Sequence, residues 1–205
     1  MGGWHHMEVK DPTPERLAAF SDGVIAVIIT IMVLELKPPH DASVKSLLEL
    51  WPTFVSYVVS YLFVGVVWVN HHHLLRYVER VCPLVIWANL LFLFFVSLIP
   101  FFTAYLAENR LDSFTTALYS FEFVLINLSF MFLQGTIARE FGDDAKLQAM
   151  ARRSKRRNWL ALMLYALAVP AAYVQPYLAF VLIFAVTLLY LVPDAVETFA
   201  TRKKA

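Results

Sequence analysis

Six apolar segments, separated by short polar stretches, make up most of the sequence. They lie at about 14–36, 51–76, 84–106, 112–138, 159–174 and 177–193. A helix needs about 20 mainly apolar residues to cross a bilayer, and it satisfies all of its backbone polar groups internally. Hydrophobic residues form 60% of the chain and charged residues 16%, against about 25% charged in soluble domains. The pattern predicts an all-α integral membrane protein with six transmembrane helices.

The basic residues are divided unequally between the two sides that six alternating helices would define. One side, which includes both termini, holds 14 of the 17 Lys and Arg residues. Cytoplasmic segments carry the excess of Lys and Arg in membrane proteins, so both termini are predicted to be cytoplasmic. Much of the excess lies in the basic segment 139–157. Its simplest role is that of an orientation signal, and binding of anionic membrane lipids is a second role.

These boundaries predict one six-helix transmembrane domain at 14–193, after an N-terminal segment (1–13) and before a basic C-terminal tail (194–205). Residues 1–6 are either native or the remnant of an expression tag. The acidic residues before the first apolar segment, and the lack of a small-residue cleavage pattern after it, argue against a removable signal peptide. A single cysteine, Cys82, excludes an intrachain disulfide and a multi-cysteine metal site, and a net charge of +1 indicates no nucleic-acid partner.

Polar residues open the first apolar segment. Thr13 and Pro14 form a helix-start signal in which Thr13 is the N-cap. Arg16, Ser21 and Asp22 follow within the next turns. Such residues are costly in lipid unless they face protein or water, so they are the first candidates for a functional role. Arg16 and Asp22 lie on different faces of a helix, so each is expected to find a partner elsewhere.

A stripe of residues continues along the same helix. Gly23, Val27, Thr30 and Leu34 follow one another at spacings of four, three and four. This spacing is typical of a seam between packed helices, so burial against a neighbouring helix is one interpretation. The other is an ion pathway surrounded by symmetry-related copies of the stripe, with Val27 and Leu34 as apolar constrictions and Thr30 as a ring of hydroxyl groups. The spacing does not distinguish the two.

The end of the second apolar segment is also polar. It contains Trp68, Asn70, His71, His72 and a further histidine, on the same side of the membrane as the start of the first helix. One interpretation is a polar network that ties the second helix to the first, with the Trp68 indole as a donor. The other is an ion or proton pathway through these groups. Consecutive histidines diverge by about 100° around a helix, so a metal site is not predicted.

Two glutamates lie in or beside the predicted membrane helices. Glu35 ends the first helix, where it either forms a ring of charge at an external entrance or extends to the interface, and Glu122 lies inside the fourth helix. A proton-coupled secondary transporter that uses Asp22 and Glu122 is therefore the alternative function. Inverted repeats and glycine-broken helices, which such transporters often show, are not found in the sequence.

Several familiar motifs are missing from the sequence. It contains no Thr-Val-Gly-Tyr-Gly filter, no arginine-repeat voltage sensor, no phosphate-binding glycine loop and no recognisable nucleophile. An ordinary potassium channel is therefore excluded, and an enzyme is not predicted.

Two motifs carry a resemblance to a known family. The first motif is Arg-x-x-x-Phe-Ser-Asp, formed here by Arg16, Phe20, Ser21 and Asp22. It resembles the motif that opens the first helix of the transmembrane protein 175 family of potassium channels. The run from Trp68 to His72, Trp-Val-Asn-His-His, is similar to the second-helix motif of that family. The likeness extends over both motifs and the six-helix plan, and the run Gly-Val-Ile-Ala with Thr30 looks like that of the prokaryotic members.

The resemblance implies a potassium-preferring leak channel that conducts passively, without a cofactor and without the usual filter loop. It implies a homotetramer in a prokaryotic cell (inner) membrane, with the first helix lining a central pore through which K⁺ permeates. On this resemblance the apolar bottleneck falls at Val27, and further rings follow at Thr30 and Leu34. The interhelical network of the family carries over to Arg16, Ser21, Asp22, Trp68, Asn70 and His71 or His72.

Overall fold

The computed structural model describes residues 13–141 and 145–202, and the regular structure in these ranges is helical. Eight helices follow one another within these ranges. They are α1 (Pro14–Leu34), α2 (Val44–Glu49), α3 (Trp51–Leu75), α4 (Pro83–Ser97), α5 (Ile99–Glu108), α6 (Ser113–Glu140), α7 (Ala145–Val174) and α8 (Pro176–Arg202). The predicted all-α class is thereby confirmed. Residues 1–6 lie outside the described residues.

Four helical stretches of the described chain are long and apolar enough to cross a membrane, at 14–34, 51–75, 83–108 and 113–140. A further apolar helical segment, Pro176–Tyr190, is shorter. The apolar part of α7 begins at about residue 159, after a charged first half, so α7 does not meet the same criterion. The helices of a membrane protein are therefore present, while the count of six stays a prediction.

Local sequence signals set two of the helix boundaries. α1 begins at Pro14, and the Thr13 hydroxyl oxygen accepts a hydrogen bond from the backbone N–H of Arg16 at 3.4 Å, so the predicted N-cap is confirmed. The third apolar segment is interrupted at Leu98, between α4 and α5. The interruption lies just before Pro100, which has no N–H to offer to the preceding turn.

The fifth apolar segment is the second half of a longer helix. α7 runs from Ala145 to Val174 and so includes most of the basic segment as well as the apolar one. Residues 145–158 are mostly strong helix formers, and they contain neither Gly nor Pro. α8 likewise continues to Arg202, beyond the end predicted at 193. The helices exceed the predicted bounds because the hydrophobic pattern marks only their apolar parts.

The helices form a bundle with α6 at its centre, in contact with α4, α5, α7 and α8, while α1 lies against α3, α4 and α5. An aromatic cluster joins three helices in the core. The Phe63 ring of α3 lies 4.1 Å from the Phe123 ring of α6, which lies 5.4 Å from the Tyr165 ring of α7. At one end of the bundle, Lys37 Nζ and Glu108 lie 3.8 Å apart, just after α1 and at the end of α5. The start of α1 and the end of α3 meet at the opposite end.

Candidate functional site

The stripe on α1 is left uncovered by the other helices of the described chain. Gly23, Val27, Thr30 and Leu34 are all exposed, Val27 at 54% and Leu34 at 73%. The opposite face of the helix is buried, through Leu17, Ser21, Ile25, Ile28 and Met32. Burial of the stripe against another helix of the same chain, the first interpretation of its spacing, therefore does not occur. The stripe is free to face lipid, a second copy of the chain or an aqueous path.

α1 is also the least enclosed of the four long apolar stretches. Of the 18 residues in its most apolar part, 28% are buried inside the chain. In the corresponding parts of the other three stretches, 44–56% are buried. A groove of about 870 Å³ runs beside the stripe, between α1 and the α4–α5 junction. It is lined on the α1 side by Phe20, Gly23, Val27 and Ile31, and opposite them by Pro100 and Phe101.

The hydroxyl group of Thr30 has a defined orientation. Its hydrogen is donated to the backbone carbonyl of Val27 at 2.9 Å. The hydroxyl oxygen keeps a lone pair, since a hydroxyl group has one donor and two acceptor positions. Thr30 is exposed, so it can offer this oxygen to a cation outside the chain.

One hydrogen bond fixes α1 to the end of α3. The indole N–H of Trp68 donates to Asp22 Oδ1 at 2.8 Å. A hydrogen bond to a charged acceptor is stronger than one between neutral groups. This bond brings together one residue from each of the two sequence motifs.

A second connection joins α1, α4 and α3 through buried side chains. His71 Nε2–H donates to Asn89 Oδ1 at 2.7 Å, and Asn89 Nδ2 donates to Ser21 Oγ at 2.9 Å. The Ser21 hydroxyl then donates to the backbone carbonyl of Leu17 at 2.8 Å. Ser21, His71 and Asn89 each have a relative exposure of 0%. We refer to this chain and the Trp68–Asp22 bond together as the α1 anchor.

Asn70 takes part in a different connection from the one predicted. Its Oδ1 accepts a hydrogen bond from Arg157 Nη2 of α7 at 2.8 Å, and its Nδ2 donates to the Val66 carbonyl one turn earlier in α3. The Arg157 guanidinium also lies 4.3 Å from the centre of the Tyr190 ring. Asn70 thus ties α3 to α7 and α8, not to α1.

Neighbouring groups extend this second cluster. Asn158 Nδ2 donates to Gln134 Oε1 at 2.7 Å, and the Tyr190 hydroxyl donates to Asn158 Oδ1 at 2.8 Å. α6, α7 and α8 are therefore joined at the end of the bundle that also holds the α1 anchor.

Two residues of the predicted network lie outside these connections. Arg16 is exposed, and its guanidinium makes no hydrogen bond to another described residue. The His72 ring is half-buried and lies 5.7 Å from the Trp68 ring. The three histidines diverge, with His71 buried and His73 exposed. Within the described ranges, no group of three His, Cys, Asp or Glu residues could hold a metal ion.

Sequence reasoning missed two residues of these connections. Asn89 lies in the otherwise apolar third segment, and one amide in so apolar a helix is a signal that it has a partner. Arg157 was counted with the basic segment, although it is the last charge before the apolar part of α7.

Glu122 lies inside the bundle, with a relative exposure of 2%. Its Oε1 has no hydrogen-bond partner among the described residues. Neither Asp22 nor any member of the α1 anchor bonds to it. The two carboxyl groups of the transporter hypothesis are thus not joined by a hydrogen bond among the described residues.

Replacing Trp68 with phenylalanine should lower the free energy of unfolding by about 1 kcal/mol, because the aromatic bulk remains and only the bond to Asp22 is lost. Thermal unfolding of the purified protein in detergent, followed by circular dichroism, measures the change. Trp87→Phe is the matched control, since Trp87 of α4 is 69% exposed. Equal losses in the two variants would mean that the bond contributes nothing.

The fold and these contacts define an α-helical membrane protein whose first helix is anchored at one end and exposed along one face. Comparison with known proteins places it more narrowly. Residues 16–100 match the family model described as endosomal/lysosomal potassium channel TMEM175. A potassium channel of Chryseobacterium sp. (strain P1-3) is 38% identical over 182 residues, which cover 89% of this chain and 94% of that protein. The chain belongs to the TMEM175 family.

Two further matches bear on fold and function. The crystal structure of a lysosomal potassium-selective channel TMEM175 homolog from Chamaesiphon minutus superimposes with a TM-score of 0.78 at 28% identity, and covers 88% of this chain and 97% of that one. The chicken protein named endosomal/lysosomal proton channel TMEM175 is 31% identical, over 42% of this chain and 20% of that protein. Relatives in the family thus carry the names of both potassium and proton channels.

Proposed function

We propose that the protein is a potassium-preferring cation channel that conducts passively, with α1 lining a central pore in a homotetramer. The main support for this proposal is the exposed stripe on α1. It places a hydroxyl group between apolar side chains on a surface that no other part of the described chain covers. The bacterial relative named potassium channel, which matches nearly the whole chain, supports the same function.

The stripe suggests how such a pore would act on an ion. Four copies of Val27 and of Leu34 would form two narrow apolar rings, where an ion must lose part of its hydration shell. Four Thr30 oxygens between them would replace part of that shell, since each hydroxyl hydrogen is already donated to the Val27 carbonyl. Gly23 would leave the cytoplasmic entrance wide. No cofactor takes part in this mechanism.

The α1 anchor would set the rotation of α1 about its own axis. Ser21 lies on the buried face of α1 and is bonded to Asn89, while Asp22 is held by Trp68 of α3. Two attachment points on neighbouring residues fix the direction of the stripe, which begins at Gly23. The predicted residues Arg16 and His72 would contribute through contacts with other copies of the chain.

The membrane arrangement that we propose is the one predicted from the charges. Residues 14–193 form a six-helix domain in a prokaryotic cell (inner) membrane, and the two termini are cytoplasmic. The helix ends support this arrangement: the start of α1 meets the end of α3, and the end of α6 meets the middle of α7.

Potassium flux into liposomes containing the purified protein tests the function. We expect passive flux that is larger under a potassium gradient than under a sodium gradient and that needs no proton gradient. Thr30→Val should reduce the potassium preference several-fold, because the side chain keeps its shape and loses its oxygen. Thr30→Ser, which keeps the hydroxyl group, is the matched control and should retain the preference.

Other outcomes would favour the alternative function. Flux that requires a proton gradient and does not change in Thr30→Val would indicate a coupled transporter. Asp22→Asn and Glu122→Gln would then be the variants to examine. Flux of protons without potassium would place the chain with the relatives named proton channel.

A further inference from the structure

The outer face of α7 changes from basic to aromatic to apolar along its length. Arg152, Arg156, Trp159 and Met163 follow one another at spacings of four, three and four, so they lie on one side of the helix. All four are exposed, Trp159 at 49% and Met163 at 68%. We define the outer face of α7 as these residues together with their exposed neighbours Lys155, Leu160 and Leu167.

This order matches the depth profile of one leaflet of a membrane. Tryptophan is enriched at the level of the lipid headgroups, where one part of its ring is apolar and the other can donate a hydrogen bond. Below Trp159, the exposed Met163 and Leu167 would face acyl chains. Above it, Arg156 and Arg152 are placed one and two turns further out. In that arrangement their charges would lie near the lipid phosphates.

The inner side of the same turns is fixed to the bundle. Arg157 donates to Asn70 of α3, and Asn158 is bonded to Gln134 of α6 and to Tyr190 of α8. α7 therefore cannot rotate freely about its axis at this level. Consecutive residues diverge by about 100° around a helix. Arg156 is therefore exposed, while Arg157 is held against the bundle.

We propose that the outer face of α7 is a binding site for an anionic phospholipid, whose phosphate is held by Arg152, Lys155 and Arg156 and whose acyl chains lie against Met163 and Leu167. An orientation signal requires only that basic residues lie on the cytoplasmic side. It does not require that they continue the lipid-facing side of a membrane helix in register with a tryptophan. The charge of the face, its aromatic boundary and its apolar continuation all fit an anionic lipid.

Native mass spectrometry of the full-length protein, released from detergent with added phosphatidylglycerol or phosphatidylcholine, tests the site. We expect phosphatidylglycerol to bind more tightly than phosphatidylcholine. Each basic residue near a membrane surface contributes to the attraction of anionic lipid, so the triple variant Arg152→Gln, Lys155→Gln, Arg156→Gln should weaken phosphatidylglycerol binding roughly tenfold or more. The variant Arg152→Lys, Arg156→Lys keeps the charge and should bind nearly as well as the wild type.

A matched control removes the same charge elsewhere. Lys37, Lys45 and Arg110 are also exposed, and they lie on the predicted opposite side of the membrane. If Lys37→Gln, Lys45→Gln, Arg110→Gln weakens binding as much as the α7 triple variant, the effect is one of net charge and the proposed site is wrong. Unchanged phosphatidylglycerol binding in the α7 triple variant would also overturn it. Circular dichroism verifies that each variant is folded.

Fluorescence locates the bound lipid. Phosphatidylglycerol brominated on its acyl chains should quench Trp159, so the quenched fraction of the total emission should fall in Trp159→Phe. If the quenched fraction is the same with and without Trp159, the lipid binds elsewhere. Both measurements report binding and not flux, so they are independent of whether the pore lies along α1.

Discussion

Replacing Val27 with alanine should raise the passive potassium flux of the reconstituted protein about three- to tenfold. The Val27 side chain is 54% exposed, so its loss leaves no cavity inside the chain. In the proposed pore it forms an apolar ring, and a wider ring lets an ion keep more of its hydration shell. A tenfold change corresponds to about 1.4 kcal/mol in the barrier. The flux assay in liposomes measures the effect under a potassium gradient.

Val33→Ala is the control for this prediction. Val33 lies on the same helix, is 46% exposed and undergoes the same chemical change, but it is about 120° away from Val27 around the helix. We expect its flux to stay near that of the wild type. An equal rise in the two variants would mean that flux follows the general stability of α1. If flux does not rise in Val27→Ala, Val27 does not line the pore.

Replacing Asn89 with alanine should destabilise the protein by about 1–3 kcal/mol, more than the replacement of Trp68 with phenylalanine. Asn89 is fully buried and holds two partners, since it accepts from His71 and donates to Ser21. The variant leaves a buried imidazole N–H without an acceptor and a buried hydroxyl oxygen without its donor. Each unsatisfied buried group carries a desolvation cost, although such losses are smaller in membrane proteins than in soluble ones.

Thermal unfolding in detergent and the fraction of assembled protein on size-exclusion chromatography measure this loss. Asn109→Ala is the matched control, because Asn109 is exposed just after α5 and its side chain bonds only to the Tyr105 carbonyl one turn earlier. We expect little change in that variant. Wild-type stability in Asn89→Ala would show that the connection from His71 to Ser21 contributes nothing to holding α1.

A double change separates the two parts of the α1 anchor. Trp68→Phe removes the bond to Asp22, and Asn89→Ala removes the bond to Ser21, on the next residue of α1. If both bonds fix the rotation of α1, the double variant should lose potassium preference even where each single variant keeps it. Additive losses of stability without any change in preference would instead indicate that the anchor only stabilises the fold.

The class of the protein and most of its helix boundaries follow from the amino-acid sequence. Apolar segments of membrane length can satisfy their backbone groups only as helices, so the all-α fold followed from composition and spacing. The N-cap at Thr13 depends on contacts within one turn, so it could be predicted from the sequence. The interruption near Pro100 also has a local cause, since the missing N–H is a property of the residue itself.

Which side chains contact one another, by contrast, depends on how the helices pack. Asn89 bonds to Ser21 across 68 positions of the chain, and Arg157 to Asn70 across 87. Periodicity shows that residues share a face of a helix, but not what that face contacts, because this depends on the rotation and packing of every neighbouring helix. The stripe of Gly23, Val27, Thr30 and Leu34 had the spacing of a packed seam, yet the chain buries the other side of α1. Only the packed bundle could show that the stripe is left exposed.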